Sequence, residues 1–221
     1  VAAWQKATSE VRRREAERAT AEARKARREA ARRSPVALEL ATENERLAEL
    51  RSGPEGLGQK IDRSGEALRG LRERLNKLRE DERAVRRKVA AAGLTNAMGL
   101  LLRRHFESLP DVDVLERQTE QRLETISDVQ LQLIVLEEER ESWGDIDART
   151  ELALQGVLPG PWRDELSEVI GELIQPRRDT LDALVSDHTT YFNRLLELES
   201  AARELIKATE EYRAFIEERI L

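Results

Sequence analysis

Apolar residues recur along the 221-residue chain in steps of three and four, and three stretches hold that spacing long enough to predict helices. The first runs through Ile61, Leu68, Leu71, Leu75, Leu78, Val85, Val89 and Ala92, with Ser64 and Glu82 filling two gaps. It is a narrow two-position heptad seam, about 50 Å long at 1.5 Å per residue, suited to packing on one partner helix. The second runs through Val112, Leu115, Thr119, Arg122, Ile126, Val129, Leu133, Leu136, Arg140 and Trp143. Leu123, Leu131 and Ile134 add a second apolar face, so this helix is expected to be touched from two sides. The third runs through Leu181, Leu184, His188, Tyr191, Leu195, Leu198, Ala202, Leu205, Thr209, Tyr212 and Ile216.

Punctuation between these stretches sets the organisation. A charged helix is expected over residues 2–33, anchored by Trp4 and Val11 and otherwise apolar only through alanine. Ser34-Pro35 restarts a helix, with Pro in its first turn, and Val36, Leu40, Leu47 and Leu50 share a face up to Arg51. "SGPEGLG", residues 52–58, is the clearest break. The expected division is a charged helical arm over 1–52, a Gly/Pro turn over 53–58 and an elongated helical bundle over 59–221. Within that bundle the helices span 59–92, 94–109, 111–143, a short piece near 147–154, and 162–220 with a break near Pro176. The residue before proline disfavours helix, which is why the last stretch should kink or divide there. The fold class is all-α, an elongated antiparallel bundle of coiled-coil hairpins.

"GLTNAMGLLLRRHFESLPD", residues 93–111, departs from the Glu/Arg/Leu/Ala vocabulary around it. Thr95 can cap a helix start, Gly93 suits a left-handed residue before it, and Pro110 ends it. Leu94, Met98, Leu101, Leu102, Phe106 and Leu109 fall near one face and form an expected structural wedge, a short helix closing a bundle end. Gly99 would let a neighbouring backbone approach.

Charge changes the picture at the N-terminus. Overall the chain carries −6 with 37% charged residues, yet residues 1–35 hold 11 Lys/Arg against 5 Glu. A basic arm could meet phosphates of lipid or nucleic acid, but Trp4 is its only aromatic, and a solvated helix held by pairs such as Glu10–Arg14 and Glu29–Arg33 accounts for it; no nucleic acid is expected. The longest uncharged run, residues 89–102, is short of the roughly 20 residues that span a bilayer. The chain begins at Val1 without a Met and reads as a mature or excised segment.

Candidate chemistry is thin. Cysteine is absent, which removes disulfides and thiolate metal sites. The turn at Gly53–Lys60 has two glycines at phosphate-loop spacing, but Gln59 stands where Lys is required and Lys60 where Ser or Thr is. His105 and His188 lie at or beside seam positions and have no second histidine near them. Asp145 and Asp147 begin like a calcium loop, with Gly156 where its bidentate Glu belongs. No enzyme, cofactor, catalytic or metal site is expected.

Three stretches, in order, resemble the large MscS-family mechanosensitive channels of the MscK type: residues 93–111, "ISDVQLQLIVLEEER" at 126–140 and "LIKATEEYRAFIEERIL" at 205–221. The resemblance covers roughly residues 59–221. It implies a periplasmic helical domain of a bacterial inner-membrane channel, N-terminal to the pore, with no conducting residue in this chain. It also implies partners: the other subunits of a ring-shaped homo-oligomer that answers osmotic tension, with membrane lipid a candidate contact near the C-terminal end. A cytoplasmic coiled-coil scaffold, and less so a nucleic-acid binder using the arm, are the alternative readings.

Overall fold

The computed structural model describes residues 2–53 and 55–220, with side chains from residue 7 onward. Seven helices account for nearly all of it: α1 (Ala2–Ala30), α2 (Pro35–Ser52), α3 (Leu57–Ala92), α4 (Asn96–Glu107), α5 (Val112–Ser142), α6 (Ile146–Ala153) and α7 (Pro161–Ile220). There is no strand among the described residues, and the fold is an all-α bundle. The chain forms two compact units, each assembled from separate segments: Val1–Arg63 with Val129–Phe192, and Ser64–Asp128 with Asn193–Leu221. The N-terminal segment therefore shares a unit with residues 129–192, and the Gly/Pro turn lies inside that unit.

In the first unit α1 and α2 form an antiparallel hairpin. Thr20 Oγ1 donates to the Ala48 carbonyl, Arg24 meets Glu45 and Glu49, and Arg27 meets Glu45, so numbers fall on α2 as they rise on α1. Ser34 caps α2 by accepting from the Val36 N–H, with Pro35 in the first turn. The face α2 buries is Ala37, Ala41, Asn44, Leu47 and Ala48, while Val36 and Leu40 are half-buried and Leu50 is exposed. Val11 is exposed rather than an anchor, and the Trp4 side chain lies outside the described residues. Glu10 pairs with Arg14 at 4.0 Å, whereas Glu29 pairs backwards with Lys25 because α1 ends before Arg33.

Pro176 does not break α7. The helix is continuous from Pro161 to Ile220 with the proline inside it. A proline in a helix interior costs about 3 kcal/mol. Ile170, Ile174, Leu181 and Leu184 flank it with no exposure at all, and burying each such side chain contributes about 1.5–3 kcal/mol, so packing outweighs the local preference. Pro176 itself points to solvent. One turn away, the Asn44 amide donates to the Leu173 carbonyl at 2.8 Å and accepts from Arg177 at 3.3 Å. Arg177 also reaches Glu139 at 2.6 Å and lies 4.3 Å over the Trp143 ring. Burial pulls the guanidinium below the ordinary arginine range, and Glu139 opposes that shift.

In the second unit α3, α5 and α7 are antiparallel in sequence order, so α3 and α7 run parallel. Arg72 with Glu197, and Arg79 with Glu204 one heptad on, are each paired at 3.3 Å. The α3 seam is buried or half-buried from Ile61 to Val89, with only Ala92 exposed, and the α5 and α7 seams match their expected positions throughout. The second face of α5 does not. Leu123, Leu131 and Ile134 are exposed, and the helix buried on a double-width stripe is α7, through neighbours such as Leu198 with Glu199 and Phe215 with Ile216. Buried Glu199 is held by Arg122 at 3.0 Å and Arg203 at 2.6 Å.

The wedge is partly as expected. Thr95 caps α4 by accepting from the Met98 N–H, Gly93 has φ +67°, and Met98 and Leu102 enter a core with Leu75, Val85, Leu205 and Tyr212. Leu101 and Leu109 pack against that core from its edge. Leu94 is 62% exposed because it precedes the cap and takes no helical direction, and Phe106 is 38% exposed because it lies about 80° around the helix from Met98. Nothing approaches the place of a Cβ on Gly99, so no close backbone contact explains that glycine.

Leu102→Ala should therefore cost about 2–5 kcal/mol in urea denaturation, while Leu94→Ala and Arg104→Ala stay within about 0.5 kcal/mol of the parent. Tyr212 is fully buried, its hydroxyl has no hydrogen-bond partner among the described residues, and burial pushes its pKa up to about 12. Tyr212→Phe removes an unsatisfied buried group and should be neutral or stabilising by up to about 1 kcal/mol in the same assay.

Candidate interaction groove

The turn between α2 and α3 gives the first unit its most distinctive surface. Gly53 caps α2 through an N–H bond to the Glu49 carbonyl, and the Gly56 N–H closes back on the Gly53 carbonyl at 2.7 Å. A Cβ on Gly56 would lie 2.6 Å from the Arg51 carbonyl oxygen, so only glycine fits. Of the two glycines at phosphate-loop spacing, Gly53 ends α2 and Gly58 lies in the first turn of α3, so the stretch is a tight helix-to-helix turn, and it delivers Leu57 and Lys60 to the wall of a groove.

That groove holds about 1190 Å³. Thr20 and Ala21 of α1, Leu47 and Leu50 of α2, and Leu57 of α3 form one side. Leu131, Val135 and Leu136 of α5 form the other, and His188 of α7 joins them. Several of its polar groups are engaged, with one another or with residues behind the wall. Thr20 Oγ1 and Ser52 Oγ lie 2.6 Å apart, Arg24 meets Glu45 and Glu49, Arg46 meets Glu43 at 2.6 Å, and Glu139 is taken by Arg177. The Arg46 contact holds the Glu43 carboxyl below the usual carboxylate range. Such walls can bind an apolar surface.

Beside the groove is a buried ion cluster. Asp187 accepts from Arg12 at 3.2 Å and from Arg51 at 2.9 Å, tying α1 and α2 to α7. His188, next in sequence, is buried, and its Nδ1 has no partner among the described residues. Desolvation lowers its pKa below the ordinary histidine value, Lys60 adds to that, and Asp187 opposes it.

The other residues singled out from sequence are dispersed. His105 belongs to the second unit, with its ring 6.1 Å from that of Tyr212. Asp145 is the N-cap of α6, accepting from the Ala148 N–H, and Asp147 is in the first turn. Gly156 takes φ +90° in the loop before α7. No cluster of potential metal ligands occurs among the described residues. Sequence reasoning missed the groove and the Asp187 cluster. The available signal was an Asp-His pair in the middle of an aliphatic seam, where a charge needs a partner from another helix. No family model, curated protein or solved structure matches the chain.

His188 has a pH signature. Its folded-state pKa is depressed while the unfolded chain titrates near 6.5. The unfolded state thus binds the extra proton first, and stability falls as pH drops below about 6.5 toward the folded value. Urea midpoints measured between pH 7.5 and 5.5 should fall more steeply for the parent than for His188→Leu.

Proposed function

We propose that the chain is a non-catalytic, periplasmic helical domain of an MscS-type mechanosensitive channel, acting as a spacer, assembly or tension-modulating element beside a pore formed elsewhere. The observation that carries this reading is the ordered resemblance of residues 93–111, 126–140 and 205–221 to MscK-type channels. Two of those stretches also work together in the fold: Met98 and Leu102 from the first pack in one core with Leu205, Tyr212 and Phe215 from the third. Met98, the one methionine of the sequence, and Leu102 are thus residues on which this unit packs. No helix is long and apolar enough to cross a membrane among the described residues.

A coiled-coil scaffold is the second reading, favoured by the heptad-spaced Arg72–Glu197 and Arg79–Glu204 pairs. Nucleic-acid binding is weaker, because Arg12, Arg24 and Arg27 of the arm are spent on acidic side chains of the same unit.

The chain has no cysteine, which permits a direct test of placement. Exposed Gln121 is replaced by Cys in the chromosomal gene, and cells with a permeabilised outer membrane are treated with a membrane-impermeant maleimide. Labelling before inner-membrane lysis is the expected result. Labelling only after lysis places the domain in the cytoplasm and favours the scaffold.

A further inference from the structure

The corner between α3 and α4, in the second unit, breaks the charge pattern of the chain. Residues 83–106 hold six Lys/Arg and no Asp or Glu, the longest acid-free run in a sequence whose net charge is −6. Of the six, only Arg86 makes an ion pair among the described residues, with Glu82 at 2.6 Å, and it also lies over the Phe215 ring. Arg83, Arg87, Lys88, Arg103 and Arg104 are exposed and make none. Lower on α3 exposed cations are answered by acids of the same fold, as Arg72 is by Glu197 and Arg79 by Glu204.

Between the two groups of cations the corner is uncharged and open. Every residue from Ala90 to Ala97 is exposed. Gly93 turns the chain at φ +67° and Thr95 caps α4, which places Leu94 at the tip, 62% exposed. Leu100 is 72% exposed and stands at i to Arg103 and Arg104 at i+3 and i+4, while Met98 and Leu102 face the core. Lys88 and Arg87 lie about 6–8 Å down α3 from Ala92. That spacing fits an interfacial contact, in which apolar groups enter a bilayer by about 5–10 Å and cationic heads remain at the phosphates.

The acids around the corner do not cancel it. Glu82 is taken by Arg86, Glu211 by Lys207 and Glu218 by Arg219. Asp81 and Glu107 are each about 16 Å along their helix from the corner, beyond the screening length of about 10 Å at 0.1 M salt. Glu210 and Glu217, exposed on α7, are set against five uncommitted cations. A nucleic acid would be met by side chains that stack on bases; this corner offers leucine and alanine between its cations, which favours a lipid surface.

We propose that the α3–α4 corner is a membrane-contact surface, at which Leu94 and Leu100 enter the interface of an anionic phospholipid bilayer and Arg87, Lys88, Arg103 and Arg104 meet its phosphates. Two leucines supply too little apolar area for zwitterionic lipid to hold the chain, so anionic headgroups are required. The contact stands on residues 83–106 alone and does not depend on the channel reading.

The test is flotation of the purified chain with vesicles of phosphatidylcholine, alone or mixed with phosphatidylglycerol. The mixed vesicles should bind it more than about tenfold better at low salt, and high salt should release it. Arg87→Glu with Lys88→Glu, and separately Arg103→Glu with Arg104→Glu, should each weaken flotation more than about tenfold with an unchanged melting temperature. The same reversal at exposed Arg32 and Arg33 of the first unit should leave flotation unchanged. Because the chain has no cysteine, Leu94→Cys carries a single environment-sensitive NBD dye, whose emission should rise and shift to the blue on the mixed vesicles only. No flotation with the mixed vesicles, indifference to the corner reversals, or an equal loss in the Arg32, Arg33 control overturns the proposal. So does flotation with unchanged dye emission, which leaves a charge patch without insertion. Displacement of the chain from vesicles by a DNA duplex at a lower phosphate concentration than the lipid's makes the partner a nucleic acid, and also overturns it.

Discussion

A helix of 60 residues cannot stand in water on its own local preferences, and α7 sets what the rest of the chain must do. Its buried stripe is two side chains wide, and each unit is assembled on its own portion of it. In the first unit, Ile170, Ile174, Leu181 and Leu184 meet alanines of α1 and α2, Leu47, Leu154 and Leu136. In the second, Leu205, Tyr212, Phe215 and Ile216 meet the seams of α3 and α5 and the wedge helix α4. Ion pairs then fix register where aliphatic side chains alone would permit sliding: Asp187 between Arg12 and Arg51, and Glu199 between Arg122 and Arg203. Removing one partner of such a buried group leaves an uncompensated charge, and that penalty is commonly about 3–5 kcal/mol.

The same constraint explains Pro176. The local rule concerns one residue's dihedral angles, while the outcome was set by fully buried side chains on both sides and by an exposed position for the ring. Asn44 and Arg177 complete the arrangement by engaging polar groups close to the proline. Arg177, stacked on Trp143 and bonded to Glu139, is a charge kept in the interior by Asn44 of α2, Glu139 of α5 and Trp143 just beyond the end of α5.

Much of the fold was legible because heptad spacing is periodic and the physics of a seam is local. The α3, α5 and α7 seams, the Ser34 and Thr95 caps and the left-handed Gly93 could all be read from residue type and spacing. Depth of burial could not. The outer face of α5 looks apolar enough to be covered, and only the arrangement of the other helices leaves Leu131, Ile134 and Val135 open. The buried face of α2 runs largely through alanines and Asn44, which carry little hydrophobic signal, so the pattern points instead to Leu50 and Val11, which are exposed. The groove was invisible for a similar reason: its walls come from segments more than 70 residues apart, and no motif links them.

Hydrogen exchange read by mass spectrometry tests the role of α7 most directly. If α7 is the element on which both units are built, its amides from about residue 170 to 216 are the slowest in the molecule, with protection unbroken across 173–181 and α1 opening first. Exchange over 173–181 as fast as in α1 would mean that Pro176 divides the helix in solution, and the first unit would then lack the continuous support described above.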